Sequence, residues 1–142
     1  MKSGILGISE AGSLALHTMA ILAKNPKRLV STEKLAKALS ASPHHLSKVL
    51  QRLAKYGLVE AVSGPSGGHR LAKPADKITL LEIYEILEGK FKNKNCLFSK
   101  PICDGRNCIL GGLLKEINQR TGDYLANTHL SDLVNSFPGR LR

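Results

Sequence analysis

Three cysteines, Cys96, Cys103 and Cys108, fall within thirteen residues of a 142-residue chain. An odd number of thiols in one stretch argues against a disulfide framework. Thiolates are soft, anionic metal ligands, so the spacing C-x6-C-x4-C favours a ligand or redox site. Zinc would prefer CxxC pairs and four protein ligands, and neither is evident. A thiol-based redox or zinc site, and three thiols without any functional ligand, remain the alternatives.

The glycine-dense stretch SGPSGGHR, residues 63–70, is the second place where chemistry is concentrated. A phosphate-binding loop would need its glycines between a strand and a helix, followed by Lys and Ser or Thr, and no such pair follows. The flanking residues 58–62 and 69–72 alternate as two strands, which predicts a β-hairpin. Its glycines allow the backbone to approach a groove of DNA closely, and Arg70 at its base can reach a phosphate or the narrow minor groove.

Charge and composition limit the possible partners. The formal net charge is +10, and between Lys24 and Lys55 eight Lys or Arg residues face one acid, Glu33. This balance favours a polyanionic partner, while 4% aromatic residues and no Trp disfavour stacking on single strands. The chain carries no apolar run of membrane-spanning length, no signal-peptide pattern and no nucleophile–base constellation. We therefore expect a cytoplasmic protein that is neither an enzyme nor bound to a membrane.

The elements that must position the glycine-rich hairpin are helices. Helices are predicted from Ser9 to about Lys24, from Ser31 to Leu39, and from Pro43 to about Tyr56, the last with Ser42 as its cap. In the third helix one face is apolar and the opposite face is polar and cationic. The apolar positions are Leu46, Val49, Leu50 and Leu53, and the polar positions are His44, Lys48, Gln51 and Lys55. Two short helices, the second with a cationic stripe and followed by a hairpin, predict a winged helix-turn-helix.

The second half of the chain must position the cysteines. A fourth helix is predicted from Ile78 to Gly89, capped by Thr79, and a longer one from about Cys108. A helix start at Cys108 would favour its thiolate through the helix dipole. The long helix has little core of its own to cover, so we expect it to pack on the same helix of a second chain, or otherwise on the first helix. The fold class is thus mainly α: a winged helix-turn-helix DNA-binding domain (1–89) with a two-stranded β wing, a cysteine-bearing sensor loop (90–107), and a long dimerisation helix followed by a C-terminal turn (108–142).

These stretches together resemble the Rrf2 family of bacterial winged-helix regulators, which includes iron–sulfur and nitric-oxide sensors. The resemblance is carried by residues 15–23, by 42–59, by GPSGGHRLAKPADKITLLEI (64–83), and by the cysteine loop with THLSDLV (128–134). His69 stands where an aromatic tyrosine is usual. The resemblance implies a homodimer that reads a two-fold symmetric operator in double-stranded DNA. The residues expected to contact DNA are Ser42, His44, His45, Ser47, Lys48, Gln51, Arg52, Ser66, Gly67, Gly68 and Arg70.

The resemblance also implies an iron–sulfur cluster, 2Fe–2S or 4Fe–4S, on Cys96, Cys103 and Cys108. Arg106 and Lys100 would offset its negative charge. The fourth ligand is open, because Gly111 and Ser13 stand where two family branches carry a histidine and a carboxylate; Glu10, His17 or a solvent-derived ligand are the candidates. The expected function is a regulator that senses iron–sulfur status, redox state or nitric oxide. The alternative is a cluster-free winged-helix regulator that responds to a small molecule or to thiol oxidation.

Overall fold

Hydroxyl side chains begin every helix of the first half of the chain. The computed structural model describes the backbone of residues 2–3 and residues 6–134 in full. Ser9, Ser31, Ser42 and Thr79 each accept a hydrogen bond from the amide three residues later, at 3.0–3.4 Å. The helices that follow are α1 (Glu10–Lys24), α2 (Thr32–Ala38), α3 (Pro43–Lys55) and α4 (Leu80–Glu88). All four predicted helices and their caps are confirmed, and each helix ends within two residues of its predicted end.

The core lies between α1, α3 and α4 and is continuous with the underside of α2. The predicted apolar face of α3 is buried, with Leu46, Val49, Leu50 and Leu53 each at most 2% exposed. Met19 and Leu22 of α1 meet it and are fully buried. Because the apolar face of α3 is packed against the core, the opposite, polar face of the helix is exposed to solvent.

The wing follows α3 directly. Strand β3 (Val59–Val62) pairs antiparallel with β4 (Gly68–Leu71), in the register Val59 to Leu71 and Val62 to Gly68. Val30, just before α2, adds a third short bridge, since its amide and carbonyl both pair with those of His69 at 2.9 and 2.8 Å. This bridge was not predicted, and it ties the hairpin to the start of the helix-turn-helix. Two shorter strands, β1 (Lys2–Ser3) and β2 (Ile8–Ser9), pair antiparallel before α1.

The last helix differs from its prediction in two ways: it begins later than expected, and within this chain it packs on α4 rather than on the first helix. The last helix, α5, runs from Leu113 to Asn127 rather than from Cys108. Residues 108–112 form turns instead, with the amide of Gly111 bonded to the Cys108 carbonyl at 2.9 Å, because the Gly111–Gly112 pair favours turn over helix. Cys108 is therefore not at a helix N-terminus, and the predicted dipole effect on its thiolate has no basis in the fold.

Helix α5 packs on α4, and of its side chains Leu125 alone is fully buried. The chain then returns to the first half, where a bridge joins Thr79 and His129 and a 3-10 turn spans Leu130–Leu133. The part of the predicted dimerisation segment beyond Val134 lies outside the described residues. Among the described helices none combines the length and the apolar character needed to cross a bilayer.

Candidate nucleic-acid interface and cysteine loop

The solvent face of α3 carries most of the side chains predicted to contact DNA. His44, Lys48 and Gln51 are exposed, and Ser47 and His45 are partly buried beside them. Lys48 supplies a mobile positive charge, and the amide of Gln51 has the donor and acceptor that match an adenine edge in the major groove. These side chains form a polar, cationic strip about two helical turns long, which matches the width of the major groove of about 12 Å.

Contacts within the chain position the first turn of α3. The Ser42 hydroxyl accepts the His45 amide at 3.4 Å, and the His45 ring lies 4.0 Å from the Glu10 carboxylate at the start of α1. Ser42, a predicted DNA-binding residue, is therefore also the cap of the helix. Ser42 is exposed, so its position at a helix N-terminus leaves it accessible to a phosphate.

Arg52 differs from its neighbours on α3. Its guanidinium Nη2 donates a hydrogen bond of 2.7 Å to the carbonyl oxygen of Ile86 in α4. The side chain remains exposed, and among the described residues the other N–H groups of the guanidinium have no acceptor, so this contact fixes one donor of Arg52 rather than all of them. The sequence carried no sign of the contact, because it joins residues 34 positions apart.

At the tip of the wing Ser66 is exposed and Gly67 is partly buried, whereas Gly68 is buried against the segment that precedes α2. A side chain at Gly68 would meet the backbone of Val30 at 2.8 Å, so only glycine lets the wing approach that segment. Arg70 lies at the base, where its Nε donates to the Glu60 carboxylate at 2.8 Å across the two strands. This hydrogen bond and the positive charge of Arg70 lower the pKa of Glu60. Arg70 is thus oriented along the hairpin by its partner strand.

His69 is a feature of the wing that sequence reasoning noted only as a departure from a family pattern. Its ring Nδ1 is buried and has no hydrogen-bond partner among the described residues. Burial lowers the pKa of His69, while a hydrogen bond with the backbone of Val30 and, to a smaller extent, the carboxylate of Glu33 act in the opposite direction.

The cysteine loop brings its three thiols to one cavity. Cys96 and Cys108 are partly buried and Cys103 is exposed, and all three are free thiols. They line a cavity of about 450 Å³ together with Arg106 and Lys115. Lys115, from the first turn of α5, takes the place predicted for Lys100, which is not among the lining residues. The same three cysteines also border a smaller apolar cavity of about 150 Å³ lined by Leu97, Phe98, Ile102 and Ile109.

The residues that line the larger cavity can be compared with what an iron–sulfur cluster needs. Three thiolates beside two cations and an apolar wall suit an anionic cluster in both chemistry and charge. Among residues 2–3 and 6–134 no three His, Cys, Asp or Glu side chains are already arranged to hold a metal ion. Of the candidate fourth ligands, Glu10 and His17 do not line the cavity, and the His17 ring lies 2.7 Å from the carbonyl of Ser13 in its own helix. The three cysteines suit the group in their chemistry, and among the described residues no further Cys and no His, Asp or Glu lines the cavity that could serve as a fourth ligand.

Comparison with known proteins identifies the family. The model of the Rrf2 family, described as iron-dependent transcriptional regulators, matches residues 8–136. The chain belongs to the Rrf2 family. It is 35% identical to an Aquifex aeolicus protein named as an HTH-type transcriptional regulator, over 89% of this chain and 90% of that protein. It is 40% identical to the regulator IscR of Cereibacter sphaeroides, over 85% of this chain and 80% of that one.

Solved structures agree with this assignment. The chain is similar to CymR, the global cysteine regulator of Bacillus subtilis, with a TM-score of 0.78 and 27% identity over 92% of this chain and 98% of that one. The fold of IscR from T. potens matches with a TM-score of 0.70 at 23% identity, over 91% of this chain and 86% of that one. This Rrf2 protein is therefore a DNA-binding transcriptional regulator with a winged-helix fold, and not an enzyme.

Proposed function

We propose that this Rrf2 regulator binds a two-fold symmetric operator as a homodimer and that an iron–sulfur cluster on Cys96, Cys103 and Cys108 sets its affinity for DNA. The observation that carries the proposal is the convergence of the three thiols on one cavity that also holds Arg106 and Lys115. Free thiols of this kind persist in the reducing cytoplasm, where we place the protein.

On the DNA side, each α3 would enter a major groove and each wing the adjacent minor groove. His44, Lys48 and Gln51 are exposed on one face of α3, and the wing carries exposed Ser66, partly buried Gly67 and the Glu60-oriented Arg70, while Gly68 is buried. Ser42, His45 and Ser47 would complete the contact at the start of the helix. The charge of +10 supports the strong salt dependence expected of phosphate contacts.

The homodimer is supported by the surface of the C-terminal half. Leu113 and Tyr124 of α5 are 52% and 58% exposed, and Ile109 just before it is 93% exposed. Aliphatic and aromatic side chains at such exposure are the kind that a second α5 would cover. A shared α5 would also bring the two cysteine loops close to the dimer axis.

Helix α5 contacts the cysteine loop before its first cysteine and continues the chain after its last one. The Asn118 side chain of α5 donates to the carbonyl of Lys94, two residues before Cys96, and α5 begins five residues after Cys108. Cys96, Cys103 and Cys108 would bind the cluster as thiolates, while Arg106 and Lys115 offset its charge. A bound cluster supplies a centre that is altered by oxidation or by nitric oxide. A change of about 1.4 kcal/mol in DNA binding already gives tenfold regulation.

The test is anaerobic reconstitution with iron and sulfide, with iron and sulfide analysis and visible absorbance as readouts. Wild type is expected to bind the cluster and Cys103→Ala to lose it, while Ser99→Ala in the same loop serves as the matched control. Operator fragments selected from a random duplex library by each form then give the change in DNA affinity. Wild type without visible absorbance, and equal affinities for wild type and Cys103→Ala, would remove the sensing function and leave the cluster-free regulator, which responds to a small molecule or to thiol oxidation.

A further inference from the structure

The last turn of α4 holds three other parts of the molecule. The carbonyl of Ile86 accepts the Arg52 guanidinium of α3 at 2.7 Å. The Glu85 carboxylate accepts the amide of Phe91, the third residue after α4, at 3.0 Å. The Glu88 carboxylate accepts the amide of Ser9, the cap of α1, at 2.8 Å. The recognition helix, the start of the cysteine loop and the start of α1 therefore meet within a single helical turn.

The contact of Arg52 has a clear physical cause. Carbonyls in the last turn of a helix have no partner within the helix. The Gly89 amide takes the carbonyl of Glu85 at 3.0 Å, and Arg52 takes the next one. Helix α4 has no basic residue in its own last turn, so the positive charge that favours a helix C-terminus comes from α3. Arg52 therefore acts as a cap for α4.

The entry to the cysteine loop is equally well fixed. The Phe91 ring packs edge-on against Tyr84 of α4 with ring centroids 5.7 Å apart. It also lies against Gly122 of α5, where an added Cβ would meet the ring at 2.7 Å. Phe91 therefore gives the loop a direct contact with the end of α4, to which Arg52 is bonded.

We infer that Arg52 is a positioning residue that couples the recognition helix to the last turn of α4 and, through it, to the cysteine loop, rather than a contact to DNA. The inference deepens the proposed function, since it names the route from the loop to α3. It does not require a cluster, because any change that displaces residues 89–96 would act through the same turn.

The first test separates a positioning role from a phosphate contact. Binding to a fluorescein-labelled duplex of mixed sequence is measured as a function of salt for wild type, Arg52→Gln and Lys48→Gln. Each phosphate contact removed lowers the log–log salt slope by about 0.9. Lys48→Gln is expected to show this decrease, whereas Arg52→Gln weakens binding at every salt concentration with the slope unchanged. A decrease for Arg52→Gln equal to that of Lys48→Gln overturns the inference.

The second test is independent of DNA. Amide hydrogen exchange is followed in free protein over residues 50–57 and 83–92, in wild type, Arg52→Gln and Arg52→Lys. Exchange in both segments should be about tenfold faster in Arg52→Gln, as expected for the loss of one hydrogen bond to a charged group. Arg52→Lys, which keeps the positive charge and a longer side chain than Gln, should lie between the two. Unchanged exchange in Arg52→Gln would show that the contact does not hold the helices together.

The third test addresses transmission from the loop. The three thiols are alkylated with iodoacetamide, and the change in exchange over residues 50–57 is compared between wild type and Arg52→Gln. A change in wild type that is lost in the variant supports the route. An equal change in both proteins, or none in wild type, overturns it. Because no cluster is present in this experiment, failure of the proposed iron–sulfur function would leave its result unaffected.

Discussion

The DNA-binding half and the cysteine-bearing half of this regulator are built differently. Of the 22 fully buried apolar residues in the described chain, 20 lie between Leu14 and Ile86. Between Gly89 and Asn127 there is Leu125 alone. The large apolar side chains left exposed are found mostly in this second region, namely Leu97, Phe98, Ile102, Ile109, Leu113 and Tyr124.

The two halves also differ in how their helices are capped at the N-terminus. Helices α1 to α4 each start at a Ser or Thr side chain that bonds the first turn, whereas α5 follows Gly112 without a side-chain cap. The first half thus specifies its structure through its own residues. The second half exposes apolar and thiol groups, which are the groups that a second chain and a cofactor would use. Substitutions in the first half should therefore change folding, and those in the second half should change association and ligand binding.

The largest difference is expected between two leucine truncations. Leu50→Ala in α3 removes a side chain that is 1% exposed and should lower the free energy of unfolding by about 2–5 kcal/mol. Leu113→Ala in α5 removes one that is 52% exposed and should cost less than about 1 kcal/mol at low protein concentration. Urea denaturation followed by circular dichroism measures both.

The dependence on protein concentration distinguishes the two leucine variants further. If α5 is covered by a second chain, the effect of Leu113→Ala should grow as the protein is concentrated, while that of Leu50→Ala should not. Equal losses for the two variants at low concentration would mean that the halves are not packed as differently as their burial indicates.

A second pair compares glycines. Gly68→Ala in the wing places a Cβ 2.8 Å from the Val30 backbone, and the resulting overpacking should cost about 1–3 kcal/mol and speed amide exchange at Val30 and His69. Gly112→Ala at the start of α5 meets no atom within 4 Å and should be neutral or slightly stabilising. A harmless Gly68→Ala would show that the wing is free to move away from α2.

Sequence alone was sufficient for the first half because its signals are local. Ser42, Pro43 and the leucine period of α3 act within one or two turns, so cap, start and buried face were all predictable. The start of α5 could not be predicted in this way. Ile109 and Leu110 continue the apolar pattern of the helix towards the N-terminus, but the backbone of Gly111–Gly112 favours a turn over a helix. The three cysteines were predictable as a set, but Lys115 enters their cavity only through the position of α5. The Arg52–Ile86 contact and the Val30–His69 bridge depend on tertiary packing and left no local pattern.

A smaller effect is expected at the cap of the recognition helix. Ser42→Ala removes the acceptor of the His45 amide and should lower the free energy of unfolding by about 1 kcal/mol. Ser99→Ala, in the exposed cysteine loop, is the matched control and should have almost no effect on thermal unfolding. If the two variants unfold alike, the capping hydrogen bond contributes little, and the rigidity assigned to the start of α3 comes from Pro43 and the core.

The smallest expected effect is the pH dependence introduced by His69. Burial lowers its pKa in the fold below the value of about 6.5 that it has when unfolded. Below that value the unfolded chain binds more protons than the folded one, so the stabilisation present above about pH 6.5 is lost as the pH falls through the folded pKa. His69→Tyr, with the aromatic residue usual at this position in the family, should remove this slope from the unfolding free energy between neutral and acidic pH. Identical slopes in the two proteins would show that the wing opens to hydrate the imidazole, and that the contact between Val30 and His69 does not keep this part of the first half closed.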